Sequence, residues 1–109
     1  MVKPINWVAF NELQSTHIVE YNEEIIGVIR AEVGTEAVLL HPKLYTPTSS
    51  KFKAFKKEFY LFLEYLKTKY HYKYWYSLTK NVKLVNMMTD GKAYPITSIM
   101  GHTLYECEI

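Results

Sequence analysis

The side chains that could do chemistry in this sequence are few and scattered. Four histidines stand at positions 17, 41, 71 and 102, and no two of them lie four residues apart, as a helical metal site would require. The one cysteine, Cys107, has no paired histidine or aspartate, and we expect a small core residue there. Because no Ser-His-Asp, P-loop or zinc pattern appears, the sequence predicts no metal and none of these catalytic classes.

Four residues have side chains that could act as a general base. Glu20, Glu32 and Glu36 lie on or beside predicted strands, and His41 directly precedes Pro42. Each glutamate is equally well explained as an exposed carboxylate on a strand, without a catalytic role. His41 is equally well explained as a structural residue before proline. We therefore predict no catalytic residue.

Lysines are concentrated in the middle of the chain. Eight lysines and two glutamates lie between residues 43 and 73, so this segment carries +6 and the rest of the chain −4. The plain interpretation is that these lysines solvate the outer face of a helix; the alternative is a basic face for an acidic partner. We predict a partner-binding face made by Lys53, Lys56, Lys57 and Lys67.

Residues 69–76 alternate lysine, histidine and aromatic side chains, a composition also found in platforms that bind nucleic acid. In a strand, however, Tyr72, Tyr74 and Tyr76 fall on one face and Lys73 and Trp75 on the other. One of those faces has to meet a helix, so a core face and a solvent face are expected instead. The excess of tyrosine also suits a protein–protein interface.

One long helix, at about residues 51–70, is needed to position these groups. Its apolar residues recur at steps of three and four and form a single face: Phe52, Phe55, Phe59, Phe62, Leu63, Leu66 and Tyr70. Ser49 or Ser50 can cap its first turn. A helix of about 30 Å with such a wide aromatic face has to lie on a sheet.

Strands account for most of the remaining sequence. The predicted strands are residues 16–21, 24–33, 37–41 and 72–78, followed by a short helix at 81–88 and a hairpin of 96–100 and 102–108. Gly27 predicts a bulge or a close backbone approach. The fold class is α+β: a mixed, mostly antiparallel sheet of about six strands, with the long helix packed across it and one short C-terminal helix.

Length and composition fit one domain over residues 1–109. Nearly half of the residues are apolar, which is enough for a core, and a single cysteine allows no internal disulfide. The sequence shows no signal peptide and no apolar run of the length that a membrane span needs. We expect a cytoplasmic protein that does not bind membranes.

The order of these elements resembles the core of the GNAT acetyltransferase fold over about residues 14–109. Residues 17–28 are similar to its second and third strands, with an acidic turn and an Ile-Gly pair. Residues 38–45 are similar to its fourth strand, with a His-Pro step before the cofactor loop, and residues 75–81 to its fifth, ending at the asparagine that opens the last helix. The first strand and first two helices of the family are mostly missing, so the resemblance is to a fold truncated at its N-terminus.

The sequence departs from the family where the resemblance implies chemistry. Residues 45–51 correspond to the loop whose glycines let backbone N–H groups approach the pyrophosphate of acetyl-CoA, but this segment has no glycine and contains Pro47. Met88 stands where the family often has a tyrosine that protonates the departing thiolate, and only Tyr94 or Tyr105 could replace it.

These departures predict a small acetyltransferase-fold protein that has no cofactor and does not transfer acyl groups. We expect it to bind a protein partner, such as a host factor, since within the family it is most similar to small proteins of tailed phages. The first alternative is a reduced N-acetyltransferase that holds acetyl-CoA through its third strand and Lys51 or Lys53. The second is a weak nucleic-acid binder that uses the lysine face.

Overall fold

A computed structural model describes residues 13–34 and 37–109 of the chain. In chain order the elements are β1 (Leu13–Tyr21), β2 (Glu24–Val33), β3 (Val38–Leu44), α1 (Ser49–Tyr70), β4 (Tyr74–Thr79), α2 (Val82–Thr89), β5 (Tyr94–Ile99) and β6 (His102–Glu108). The strands form one sheet in the order β1-β2-β3-β4-β6-β5. Only β3 and β4 are parallel neighbours, so the predicted α+β class with a mostly antiparallel sheet is confirmed.

Helix α1 is the crossover that makes β3 and β4 parallel, as predicted. It begins at Ser49, two residues earlier than expected, and its cap is Thr48 rather than Ser49 or Ser50. The Thr48 side chain accepts a hydrogen bond from the Lys51 N–H at 3.3 Å, because its extended backbone lets the hydroxyl fold back over the first turn. At the other end His71 adopts the left-handed conformation that stops the helix.

The core lies between the sheet and the two helices. Phe55, Phe59, Leu63 and Leu66 of α1 are buried, and the Phe59 ring packs edge-on against Trp75 of β4 at 5.1 Å between ring centres. Three residues of the predicted apolar face are less buried, since Phe52 and Phe62 are half-buried and Tyr70 is exposed.

Four predicted strand boundaries were wrong by two residues or more. Strand β1 begins at Leu13 instead of Thr16, and β3 continues through Pro42 to Leu44 instead of ending at His41. Strand β4 begins at Tyr74, later than expected, and β5 begins at Tyr94 rather than Ile96. The last hairpin turns at Met100 and Gly101, both with positive φ.

Gly27 has both of the features that the sequence predicted. A bulge interrupts the pairing of β1 with β2 next to it, between Val19 and Glu20. A Cβ at position 27 would lie 2.3 Å from the Lys43 carbonyl oxygen and 2.8 Å from the Phe55 ring. Only glycine therefore lets α1 approach β2 and β3 this closely.

Candidate functional site

Strand β3 has one fully paired edge and one open edge. All seven of its residues pair with β2, but only two pair with β4. The pairs with β4 are Val38 with Trp75 and Leu39 with Tyr76. Beyond them, residues 40–44 of β3 and 77–79 of β4 run on without pairing to each other, and we call this stretch the open seam.

Pro42 prevents the pairing from resuming beyond Leu40. The Tyr45 N–H donates to the Ile26 carbonyl across the β2–β3 pair at 2.9 Å. Because backbone direction alternates along a strand, the backbone groups of Leu40, Pro42 and Leu44 point away from β2 and toward β4. Pro42 has no N–H to donate there, so the hydrogen-bond ladder cannot continue past it.

The His41 side chain lies close to the backbone of Leu78 on β4, across the open seam. Burial lowers the pKa of His41, the charge of Arg30 lowers it further, and the Leu78 backbone raises it, with a net decrease. Because the Leu78 backbone raises the pKa, its carbonyl oxygen is the group that faces the ring. The net decrease favours the neutral ring, which has one nitrogen that can accept a proton.

Ser77, a residue that the sequence analysis did not single out, lies at the closed end of the open seam. It follows Tyr76, the last residue of β4 that pairs with β3, and it is completely buried. Its side chain is on the same side of the sheet as Trp75, two residues earlier, and so faces the helices. No hydrogen-bond partner for its hydroxyl occurs in the part of the chain that the structure describes. The only sequence signal was one polar residue inside an aromatic and apolar strand.

The wide end of the open seam leads to the N-terminus of α1. The first turn of α1 contains no acidic residue. Lys51, a predicted cofactor-binding residue, instead pairs with Glu24 at 3.0 Å. The other, Lys53, is exposed on α1.

The candidate bases fall in different places. Glu32 is half-buried on β2 directly opposite Leu39, and so it lies on the same side of the sheet as His41, two residues further along β3. Glu20 is exposed on the edge strand β1. Glu36 lies outside the described residues. Of the described candidate bases, His41 alone therefore lies on a strand that borders the open seam.

The three positions considered for the proton donor lie in different parts of the fold. Met88 is completely buried in the core. Tyr94 is 63% exposed on the edge strand β5. Tyr105 is buried on β6, directly opposite Ser77. Of the two tyrosines, Tyr105 is thus the one next to the open seam.

The four predicted partner-binding lysines do not form one uniform face. Lys56 pairs with Asp90 of the turn after α2 at 2.7 Å, and this contact lowers the pKa of Asp90. Lys53, Lys57 and Lys67 are exposed on α1, and none of them forms an ion pair with another described residue. A role for them in binding a partner stays a prediction.

Two further predictions concern metals and membranes. Among residues 13–34 and 37–109, no group of three or more His, Cys, Asp or Glu side chains could hold a metal ion. Neither α1 nor α2 has the length and apolar character that crossing a bilayer requires.

Cys107 is buried as expected, and burial raises the pKa of its thiol to about 12.

Comparison with known proteins gives matches in structure but not in sequence. No family model and no curated protein matches the chain. The N-acetyltransferase PseH of Campylobacter jejuni superposes with a TM-score of 0.69 and 11% identity, over 90% of this chain and 70% of that one. A GNAT family acetyltransferase from Elizabethkingia anophelis superposes with a TM-score of 0.63 and 12% identity, over 98% of this chain and 92% of that one. The fold is GNAT-like.

The expectation of no cofactor is overturned by these GNAT-like structures. PseH has been solved in complex with acetyl coenzyme A, and the E. anophelis protein has acetyl-CoA bound. The expectation rested on two departures from the family, the glycine-free loop with Pro47 and the methionine at position 88.

Proposed function

We propose that this chain binds acetyl-CoA along the open seam and transfers the acetyl group to an amine. The observation that carries the proposal is the one-sided pairing of β3. An extended ligand with amide groups can add to an unpaired strand edge by backbone hydrogen bonds, and the pantetheine arm of acetyl-CoA is such a ligand. On the exposed strand edges the carbonyls of Leu40, Pro42 and Leu44 and the N–H groups of Leu44 and Leu78 face the seam and are available to it.

The phosphate end of the cofactor has a weaker but compatible site. A helix N-terminus attracts anions through its free N–H groups and its dipole, and α1 has no acidic residue in its first turn to oppose this. Thr48 caps one of the N–H groups, and no glycine permits close approach of the backbone. We therefore expect most of the affinity to come from the open seam.

His41 is the general base in this proposal. Bound acetyl-CoA supplies a thioester that a neutral amine can attack. An amine is mostly protonated at pH 7, so a group beside the seam has to remove its proton. Burial and the charge of Arg30, directly opposite His41 on β2, lower the pKa of the ring and so favour the neutral form that can accept this proton.

Calorimetric titration with acetyl-CoA tests the binding step. We expect a Kd in the micromolar range, below the 1 mM that corresponds to roughly 4 kcal/mol. The transfer step is tested with a panel of primary amines and His41→Gln. Loss of a general base lowers the rate by about 10²–10⁴-fold, and the affinity for acetyl-CoA should stay within a few-fold.

His102→Gln is the matched control, because His102 is a half-buried histidine at the β5–β6 turn, away from the seam. It should leave both the rate and the affinity unchanged. A Kd above 1 mM for the unmodified chain, or full activity in His41→Gln, would contradict the proposal.

Binding of an acidic protein is a second candidate function. It is favoured by the exposed positions of Lys53, Lys57 and Lys67 on the outer part of α1, without ion pairs to other described residues. Changing the three to Gln should slow association with any captured partner, and the effect should shrink as salt rises. An association rate that does not depend on salt would remove this candidate.

A further inference from the structure

The described residues contain two buried polar side chains, and only one of them has a hydrogen-bond partner. Thr89 of α2 donates its hydroxyl hydrogen to the Val85 carbonyl at 2.8 Å. Ser77 of β4 is more deeply buried, and its hydroxyl has no partner among the described residues. A buried hydroxyl without a partner is costly for the folded state, so such a group is kept for a reason that the ligand-free chain does not show.

The position of Ser77 indicates what the partner is. The open seam narrows toward the pairs that β3 and β4 still form, and Ser77 comes directly after the last of these. A ligand that enters beside α1 and runs along the strands therefore has its far end next to Ser77. In acetyl-CoA that far end is the thioester.

Strand β3, on the other side of the seam, offers few hydrogen-bond donors at this point. Pro42 is one of the three β3 residues with backbone facing β4 beyond the last pair, and it has no N–H to donate. A side-chain hydroxyl is the kind of donor that can replace a missing backbone N–H. A thioester carbonyl oxygen is a good acceptor, whereas sulfur is a weak one.

We propose that the Ser77 hydroxyl donates a hydrogen bond to the carbonyl oxygen of the bound acetyl thioester. This inference rests on the proposed binding of acetyl-CoA along the open seam. The same bond strengthens as negative charge develops on that oxygen during attack by the amine, so Ser77 assists catalysis as well as binding. In the ligand-free chain the Ser77 hydroxyl has no partner, which is unfavourable for the folded state, but it keeps a donor in position for the ligand.

The test compares Ser77→Ala with the unmodified chain in two ligand titrations and one unfolding experiment. Acetyl-CoA has the carbonyl oxygen and free CoA lacks it, so the ratio of their two Kd values isolates the proposed bond. We expect Ser77→Ala to weaken acetyl-CoA binding about tenfold and to leave CoA binding unchanged. We also expect its melting temperature without ligand to equal or exceed that of the unmodified chain, since an unpaired buried hydroxyl is removed.

Thr89→Val is the control, because it removes a buried hydroxyl that does have a partner. It should lower the melting temperature and leave both Kd values unchanged. Ser77→Cys, of similar size and with a poor donor, repeats the affinity test if Ser77→Ala proves hard to purify. It should weaken acetyl-CoA binding relative to CoA in the same way.

The outcomes separate this inference from the proposed function. If the unmodified chain binds neither acetyl-CoA nor CoA, the proposed function fails and this inference fails with it. If the unmodified chain binds acetyl-CoA and Ser77→Ala binds both ligands equally well, the proposed function stands and the role of Ser77 is wrong. A clear loss of ligand-free stability in Ser77→Ala would likewise overturn it, since the hydroxyl would then have a partner within the folded chain.

Discussion

The two edges of β3 belong to one seven-residue strand, yet one is paired throughout and the other for two residues. Toward β2, hydrogen bonds fix the strand in register from Val38 to Leu44. Toward β4, the strand is held by two pairs and then continues alone. The closed edge thus supplies rigidity, and it positions His41 and the exposed backbone of the open edge at the same time.

Pro42 acts differently at the two edges. Toward β2 it lies opposite Ile29, at a position where no N–H is required for the ladder. Toward β4 the missing N–H removes one hydrogen bond that the ladder would need in order to resume. Where β3 and β4 do pair, packing supports them, because the Phe59 ring of α1 meets Trp75 of β4. Packing and two residue pairs therefore hold β4 to β3, whereas seven residue pairs hold β2.

Phe59→Ala should produce the largest change, because it removes the packing that holds β4 where it still pairs with β3. Phe59 is completely buried against Trp75, and truncating such a ring costs about 3–5 kcal/mol. Urea unfolding gives the difference in the free energy of unfolding. Leu61→Ala, on the exposed side of the same helix, is the control and should change stability by less than about 0.5 kcal/mol. A loss below about 1 kcal/mol for Phe59→Ala would mean that β4 does not depend on α1.

Gly27→Ala should have the next largest effect, at the closed edge. The added methyl would lie 2.3 Å from the Lys43 backbone oxygen, which cannot move without breaking the β2–β3 pairing. Overpacking of this kind costs about 1–3 kcal/mol. Gly101→Asn is the control, because no atom lies within 4 Å of a Cβ there and asparagine tolerates positive φ. If Gly27→Ala and Gly101→Asn were equally stable, the β2–β3 pairing would have to tolerate a methyl group at position 27.

Much of the fold could be predicted from the sequence because each element has its own local signal. The aromatic residues of α1 recur at helical spacing, and Asn81 caps α2 as expected, accepting from the Leu84 N–H at 3.0 Å. The boundary of β3 could not be predicted, since a proline usually ends a strand. Strand β3 tolerates Pro42 because of how it pairs with β2 and β4. That pairing depends on residues far away in the sequence, so it cannot be seen around position 42.

The candidate site was less accessible to prediction. His41 was noticed because it precedes Pro42, but its reach to Leu78 depends on how far the two strands separate. Ser77 has no sequence signal beyond its polarity. The glycine-free loop was visible and led to the wrong expectation about the cofactor, because a loop composition says nothing about an open strand edge. A site made from unpaired backbone leaves little trace in residue types.

Pro42→Ala should partly close the open edge. The new N–H at position 42 faces β4 and can donate to the Leu78 carbonyl, in competition with the His41 ring. We expect acetyl-CoA affinity to fall about tenfold, roughly 1.4 kcal/mol, and the amide at position 42 to gain protection from hydrogen exchange. Pro95→Ala, at the other proline in a described strand, is the control and should not change affinity. If affinity is unchanged in Pro42→Ala, proline is not what holds the seam open.

The smallest expected effect concerns the pH dependence of stability. The folded chain lowers the pKa of His41 below its ordinary value of 6.5, so at mildly acidic pH the unfolded chain binds more protons than the folded chain at this residue. Stability contributed by neutral His41 is therefore present above pH 6.5 and declines as pH falls toward the folded pKa. Urea unfolding at pH 7.5 and 5.5 should show a smaller decline for His41→Gln than for the unmodified chain.

The contribution of His17, whose pKa is also lowered by burial, is common to both proteins and cancels in the comparison. Equal declines in the unmodified chain and His41→Gln would mean that the ring titrates freely in solvent. It would then neither bridge the open edge to Leu78 nor stay neutral at the pH where an amine has to lose its proton.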